Sequence, residues 1–102
     1  MMRYAAREDA NHSLIADALR QIGAYVVDCS QVGFGFPDLL VAFRGKWTPI
    51  EIKDGAKPKS ARKLTPSQVI FHAEAKAKGC EVHIVESVEQ AIKLIGSIGV
   101  RS

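Results

Sequence analysis

Gly35-Phe36-Pro37-Asp38 and, after a short gap, Glu51-Ile52-Lys53 decide how this chain is read. Asp38 opens the apolar run Leu39-Leu40-Val41-Ala42-Phe43, and Glu51 and Lys53 close a second run that starts at Trp47. Arg44-Gly45-Lys46 between the runs predicts a tight turn, so the two runs predict a β-hairpin. Side chains alternate across a strand, which puts Glu51 and Lys53 on one face. Asp38 comes near that face at the start of the neighbouring strand. Two carboxylates and an ammonium then converge. A small domain keeps such a cluster at a cost unless it binds a cation.

Working outward, residues 7–22 predict an amphipathic helix with Leu14, Ile15, Ala18, Leu19 and Ile22 as its apolar stripe, ended by Gly23. Glu8 and His12 lie at helical spacing from that stripe, on its core-facing edge. Either they are a first-turn acid and a boundary residue, or one reaches over the sheet to the carboxylates. Residues 24–28 predict a first strand. The Gly33-Phe34-Gly35 loop allows unusual backbone angles near the site, and Pro37 belongs at a strand start. Phe34 and Trp47 either stack on bases or pack, with packing favoured for Trp47. Thr65-Pro66-Ser67-Gln68 predicts a capping box opening a helix to Lys78, with Val69, Ile70, Ala73 and Ala77 buried. Residues 81–85 predict a fourth strand. Ser87-Val88-Glu89-Gln90 predicts a second capping box, on a helix with Val88, Ala91, Ile92 and Ile95 inward. The order α-β-β-β-α-β-α predicts one sheet with helices on both faces and a parallel crossover from the third strand to the fourth.

The 102 residues suit one domain spanning 1–102. At 47% hydrophobic residues the chain should fold, and no apolar run is long enough to span a membrane. The N-terminus has no signal-peptide core, and Cys29 and Cys80 have no metal-type spacing. Reduced, buried cysteines and a cytoplasmic location are expected. The net charge of +3 says little by itself. Its distribution says more: Lys53, Lys57, Lys59, Arg62 and Lys63 crowd one short segment, opposed only by Asp54. Such a loop is either a phosphate clamp beside the carboxylates or a solubilising surface.

The acidic pair suits Mg²⁺ or Mn²⁺, hard cations that prefer oxygen ligands and leave positions for water and a phosphate oxygen. A neighbouring lysine can orient water or steady the transition state. No Cys/His zinc set and no Walker loop is present. His72 and His83 have no partner at ligand spacing, so surface or packing roles are expected for both.

With Gln68 on the following helix, these motifs resemble the PD-(D/E)XK nuclease superfamily. Within it the chain resembles a short stand-alone VRR-NUC domain of the phage and prophage type, over almost its whole length. The resemblance implies a restriction-endonuclease-like α/β core with one mixed four-stranded sheet. It implies a Mg²⁺- or Mn²⁺-dependent DNA endonuclease, with members associated with flaps and four-way (Holliday) junctions, and often a homodimer. It implies Asp38, Glu51 and the Ile52 carbonyl as metal ligands, Lys53 as catalytic lysine and Gln68 as a site-shaping residue. Many relatives carry a glutamate on the first helix. Here Asn11-His12-Ser13-Leu14 has no acid, so Glu8 or His12 stands in for it. Lys57, Lys59, Arg62 and Lys63 are the expected DNA contacts. The alternative is a non-catalytic DNA-binding or assembly module that keeps the fold, which would not need Lys53. A hydrolase of small phosphate compounds is a weaker rival, since an open basic loop suits a long polyanion.

Overall fold

The computed structural model describes residues 11–98. The elements run α1 (Asn11–Gln21), β1 (Tyr25–Asp28), β2 (Leu39–Phe43), β3 (Lys46–Ile52), α2 (Pro66–Ala77), β4 (His83–Val85) and α3 (Val88–Gly96). The expected order is therefore the observed one. A short 3₁₀ helix, Lys59–Arg62, interrupts the basic loop. No helix among the described residues is long and apolar enough to cross a membrane.

Arg44 and Gly45 both take positive φ, 50° and 82°. This two-residue turn matches the right-handed twist of its strands and fixes the β2–β3 register, Phe43 opposite Lys46 and Leu39 opposite Ile50. β1 pairs antiparallel with β2, and β4 pairs parallel with β3, giving one mixed sheet in the order β1-β2-β3-β4. β3 is thus interior, so Glu51 and Lys53 do not form an exposed pair on an edge strand.

Leu39, Val41, Ile50 and Ile52 project from one sheet face into a core completed by Ile15 and Leu19 of α1 and Ala91 and Ile95 of α3. Burying each of the larger side chains contributes on the order of 1.5–3 kcal/mol. Ala16 replaces the expected Leu14 in the α1 stripe, and Leu14 is exposed. Alternation sends Glu51 to the opposite face, where α2 lies.

α2 departs most from expectation. Its capping box is present, with Pro66 in the first turn. None of its residues is buried, however, and Val69 and Ile70 face outward. Its inner side carries Gln68, Phe71 and His72 instead, because the helix is positioned by polar contacts to Glu51 and by the Phe71–Phe36 ring contact. At α3, Ser87 caps as expected, but the Gln90 side chain accepts from the Glu86 N–H and so does not close a capping box. Cys29 is buried as expected, whereas Cys80 is exposed; both are free thiols.

Candidate active site

The site forms where the start of β2, the end of β3 and the first turn of α2 meet. Pro37, fully buried, delivers Asp38 to the head of β2. Asp38 Oδ2 accepts a 2.8 Å hydrogen bond from the Ile52 N–H, which ties the two strands together between Glu51 and Lys53. Glu51 has no solvent exposure.

One side chain joins the rest. Gln68 Nε2 donates to Glu51 Oε2 at 2.8 Å, and Gln68 Oε1 accepts from Lys53 Nζ at 3.0 Å. The same Oε1 accepts from the Thr65 N–H at 2.9 Å, the reciprocal half of the capping box. Both carbonyl lone pairs are thereby used. The cap and the site are one device: the geometry that starts α2 also presents an amide to the carboxylate. The donors around Oε1 also settle which end of the amide faces Glu51.

Burial chiefly, with the charge of and a hydrogen bond to Asp38 in support, pushes the Glu51 carboxyl up to about 8; Lys53 opposes the shift only in part. Near neutral pH Glu51 therefore retains a proton beside Asp38, in a place where a cation would substitute for it. Asp38, Glu51 and the Ile52 carbonyl offer a hard, all-oxygen donor set. Among the described residues no group of three or more His, Cys, Asp or Glu side chains could hold a metal. The set thus fits an ion that keeps several of its waters, as Mg²⁺ does.

Two contributors were not anticipated. His72 Nε2 lies 3.4 Å from Glu51 Oε1. Burial, followed by the Lys53 charge, holds its pKa below the usual histidine range, so the contact is made by a neutral ring near pH 7. Its position four residues after Gln68, on the same helical face, is a signal the sequence contained. Asn11 Nδ2 donates to the carbonyls of Lys53 and Glu86, both at 3.2 Å, pinning the chain that leaves β3 to the chain that leaves β4. Nothing local in the sequence signals a bond to residues so distant.

Asp38, Glu51, Lys53 and Gln68 are thus brought together as expected. His12 is buried but turned to Asp28, with Nε2 3.4 Å from Asp28 Oδ2, on the core face and away from Glu51. Glu8 lies outside the described residues. In the basic loop, Lys57, Lys59 and Lys63 are exposed. Arg62 is drawn inward instead, its Nη1 3.1 Å from Glu86 Oε1.

A solved structure described as a VRR_NUC domain matches this fold with a TM-score of 0.65 and 28% sequence identity, over 88% of this chain and 99% of that one. The chain is thus similar to a VRR-NUC domain across most of its length. No family model matches the sequence, and no curated protein does. The mixed four-stranded sheet flanked by helices matches a VRR-NUC nuclease-like fold, so the cluster stands in a nuclease-type fold.

Proposed function

We propose that this chain is a VRR-NUC-type Mg²⁺- or Mn²⁺-dependent endodeoxyribonuclease. The observation that carries the reading is the fully buried Glu51, held beside Asp38 and linked through one Gln68 amide to Lys53. A bound divalent ion would supply charge neutralisation at the phosphate and an acidified water. Asp38, Glu51 and the Ile52 carbonyl are the groups assigned to hold it.

The chain's own residues account for the rest. Gln68 fixes the Glu51 carboxylate and the Lys53 ammonium relative to each other. Lys53, half-buried and anchored at its backbone by Asn11, presents a positive charge at the lip of the carboxylate pair. From there it orients a water or steadies negative charge on a phosphate oxygen. Lys57, Lys59 and Lys63 follow on directly from Lys53 and provide the cationic track for a DNA backbone. A preference for branched DNA such as flaps or four-way junctions, and a homodimer, complete the proposal.

Purified protein incubated with labelled duplex, flap and four-way-junction DNA in Mg²⁺, Mn²⁺ or EDTA tests the reading. Metal-dependent cleavage that falls roughly 100- to 1,000-fold or more in Lys53→Ala and Asp38→Ala, with unchanged folding, is expected. Absence of metal-dependent cleavage on every substrate would leave the non-catalytic DNA-binding module as the better account.

A further inference from the structure

Phe34 is 91% exposed, the most solvent-open large apolar side chain in the described residues. Its backbone is left-handed, with φ 59°, between Gly33 at 81° and Gly35 at 76°. A bulky L-residue is disfavoured there, and glycine would adopt the same conformation without strain. The loop therefore keeps an aromatic ring at its tip against both local preferences: burial of apolar surface and relaxed backbone geometry.

The loop around it is not loose. The Phe36 N–H donates to the Gly33 carbonyl at 3.0 Å, closing a turn over Phe34. Phe36 packs edge-on against Phe71 of α2, with centroids 5.3 Å apart. Gly35 lies directly on the Ser67 carbonyl and the Gln68 amide, so closely that a Cβ would collide with them. Phe34 is thus next to the point where the loop meets the turn that carries Gln68. Asp38 follows four residues later, at most about 14 Å along the chain.

We propose that Phe34 is a stacking wedge. Its ring takes the exposed face of an unpaired or unstacked nucleobase next to the phosphodiester at the Asp38–Glu51–Lys53 site. The proposal rests on the nuclease reading and adds to it the feature of DNA that is recognised. A fully stacked duplex offers no free base face, whereas a branch point, a flap base or a strand end does. Backbone contacts from the basic loop cannot make this distinction, because phosphates are alike in all these substrates. A ring on a pinned loop also loses little freedom on stacking, which favours its use as a fixed platform.

The test measures binding in the Lys53→Ala protein, which leaves DNA intact, using 2-aminopurine at the unpaired position beside a flap. Adding Phe34→Ala should weaken flap and single-strand binding roughly 5- to 150-fold and abolish the stacking quench. Fully duplex affinity and the salt slope should not change. Phe34→Trp should restore flap binding. Phe34→Gly should raise the melting temperature while still losing the flap preference, which separates the contact from any structural role. With Lys53 restored, Phe34→Ala should cleave flaps more slowly and duplex at the wild-type rate.

Equal flap and duplex binding by Phe34→Ala and its parent would overturn the wedge and leave the nuclease reading intact. So would a loss of dimer mass in Phe34→Ala by sedimentation, which would assign the ring to a protein contact. Failure of the wild-type protein to bind or cleave any DNA, whatever residue occupies position 34, would overturn both.

Discussion

Gln68 and Glu51 are joined by a 2.8 Å hydrogen bond from the Gln68 amide to a carboxylate oxygen that solvent does not reach. The other end of that amide is occupied by Lys53 and by the Thr65 N–H. Gln68→Ala should therefore have two effects. It removes half of the α2 capping box and a donor to a buried acceptor, costing about 1–3 kcal/mol by urea denaturation. It also frees Lys53 and Glu51 from their common anchor, which should lower cleavage roughly 10- to 100-fold, the usual effect of losing an outer-shell partner. Full activity in Gln68→Ala would reduce the residue to a helix cap.

Glu51 predicts an inverted pH dependence of stability. Its carboxyl is pushed from about 4.5 to about 8, chiefly by burial. A raised folded-state pKa means that the folded protein binds the proton more tightly than the unfolded chain does. The stability associated with that proton is fully present below about pH 4.5 and is lost as pH rises toward about 8. In EDTA, denaturation midpoints should fall across this window. Glu51→Gln should flatten the fall, and Mn²⁺ should raise the wild-type midpoint most at the alkaline end. A wild-type profile as flat as that of Glu51→Gln would contradict a raised Glu51 pKa.

The hairpin, the acid pair, Lys53 and the Thr65–Gln68 cap were legible because each is local: a turn, an alternation, a helix start. Placing α2 needed more. Val69, Ile70, Ala73 and Ala77 have the spacing of a buried stripe, yet the inward face is set by partners on other elements, Glu51 and Phe36. A hydrophobic pattern identifies an apolar face and not what covers it. Asn11 could not be found locally, since its partners lie 42 and 75 residues away. His12 was rightly placed at the core edge, but only the packing of α1 on β1 decides that it turns to Asp28.

Gly35 makes a prediction about how the loop supports the site. At φ 76°, with the Ser67 carbonyl where a Cβ would sit, Gly35→Ala meets both backbone strain and a backbone collision. The combined cost should be about 2–4 kcal/mol. The collision also pushes on the turn that carries Gln68, so activity in native conditions should drop even where the protein remains folded. Gly33→Ala meets no atom within 4 Å and has only the strain of φ 81°, about 1–2 kcal/mol, to bear. Equal stability of the two variants in parallel urea titrations would rule out the contact with α2 as the cause.

The basic loop divides by exposure. Lys59 and Lys63 point to solvent, whereas the Arg62 guanidinium is half-buried against Glu86. If the loop is a phosphate track, Lys59→Ala with Lys63→Ala should reduce the slope of log affinity against log salt by up to about 2, near one for each phosphate no longer neutralised. Arg62→Ala should leave that slope nearly unchanged, because its charge is already matched by Glu86. Its effect should instead be on the loop, seen as faster amide exchange from residues 59 to 63. Measuring DNA binding by fluorescence anisotropy from about 50 to 200 mM salt separates the outcomes. A larger slope change for Arg62→Ala than for the double lysine variant would mean that Arg62 leaves Glu86 to meet the DNA, and would reverse this assignment.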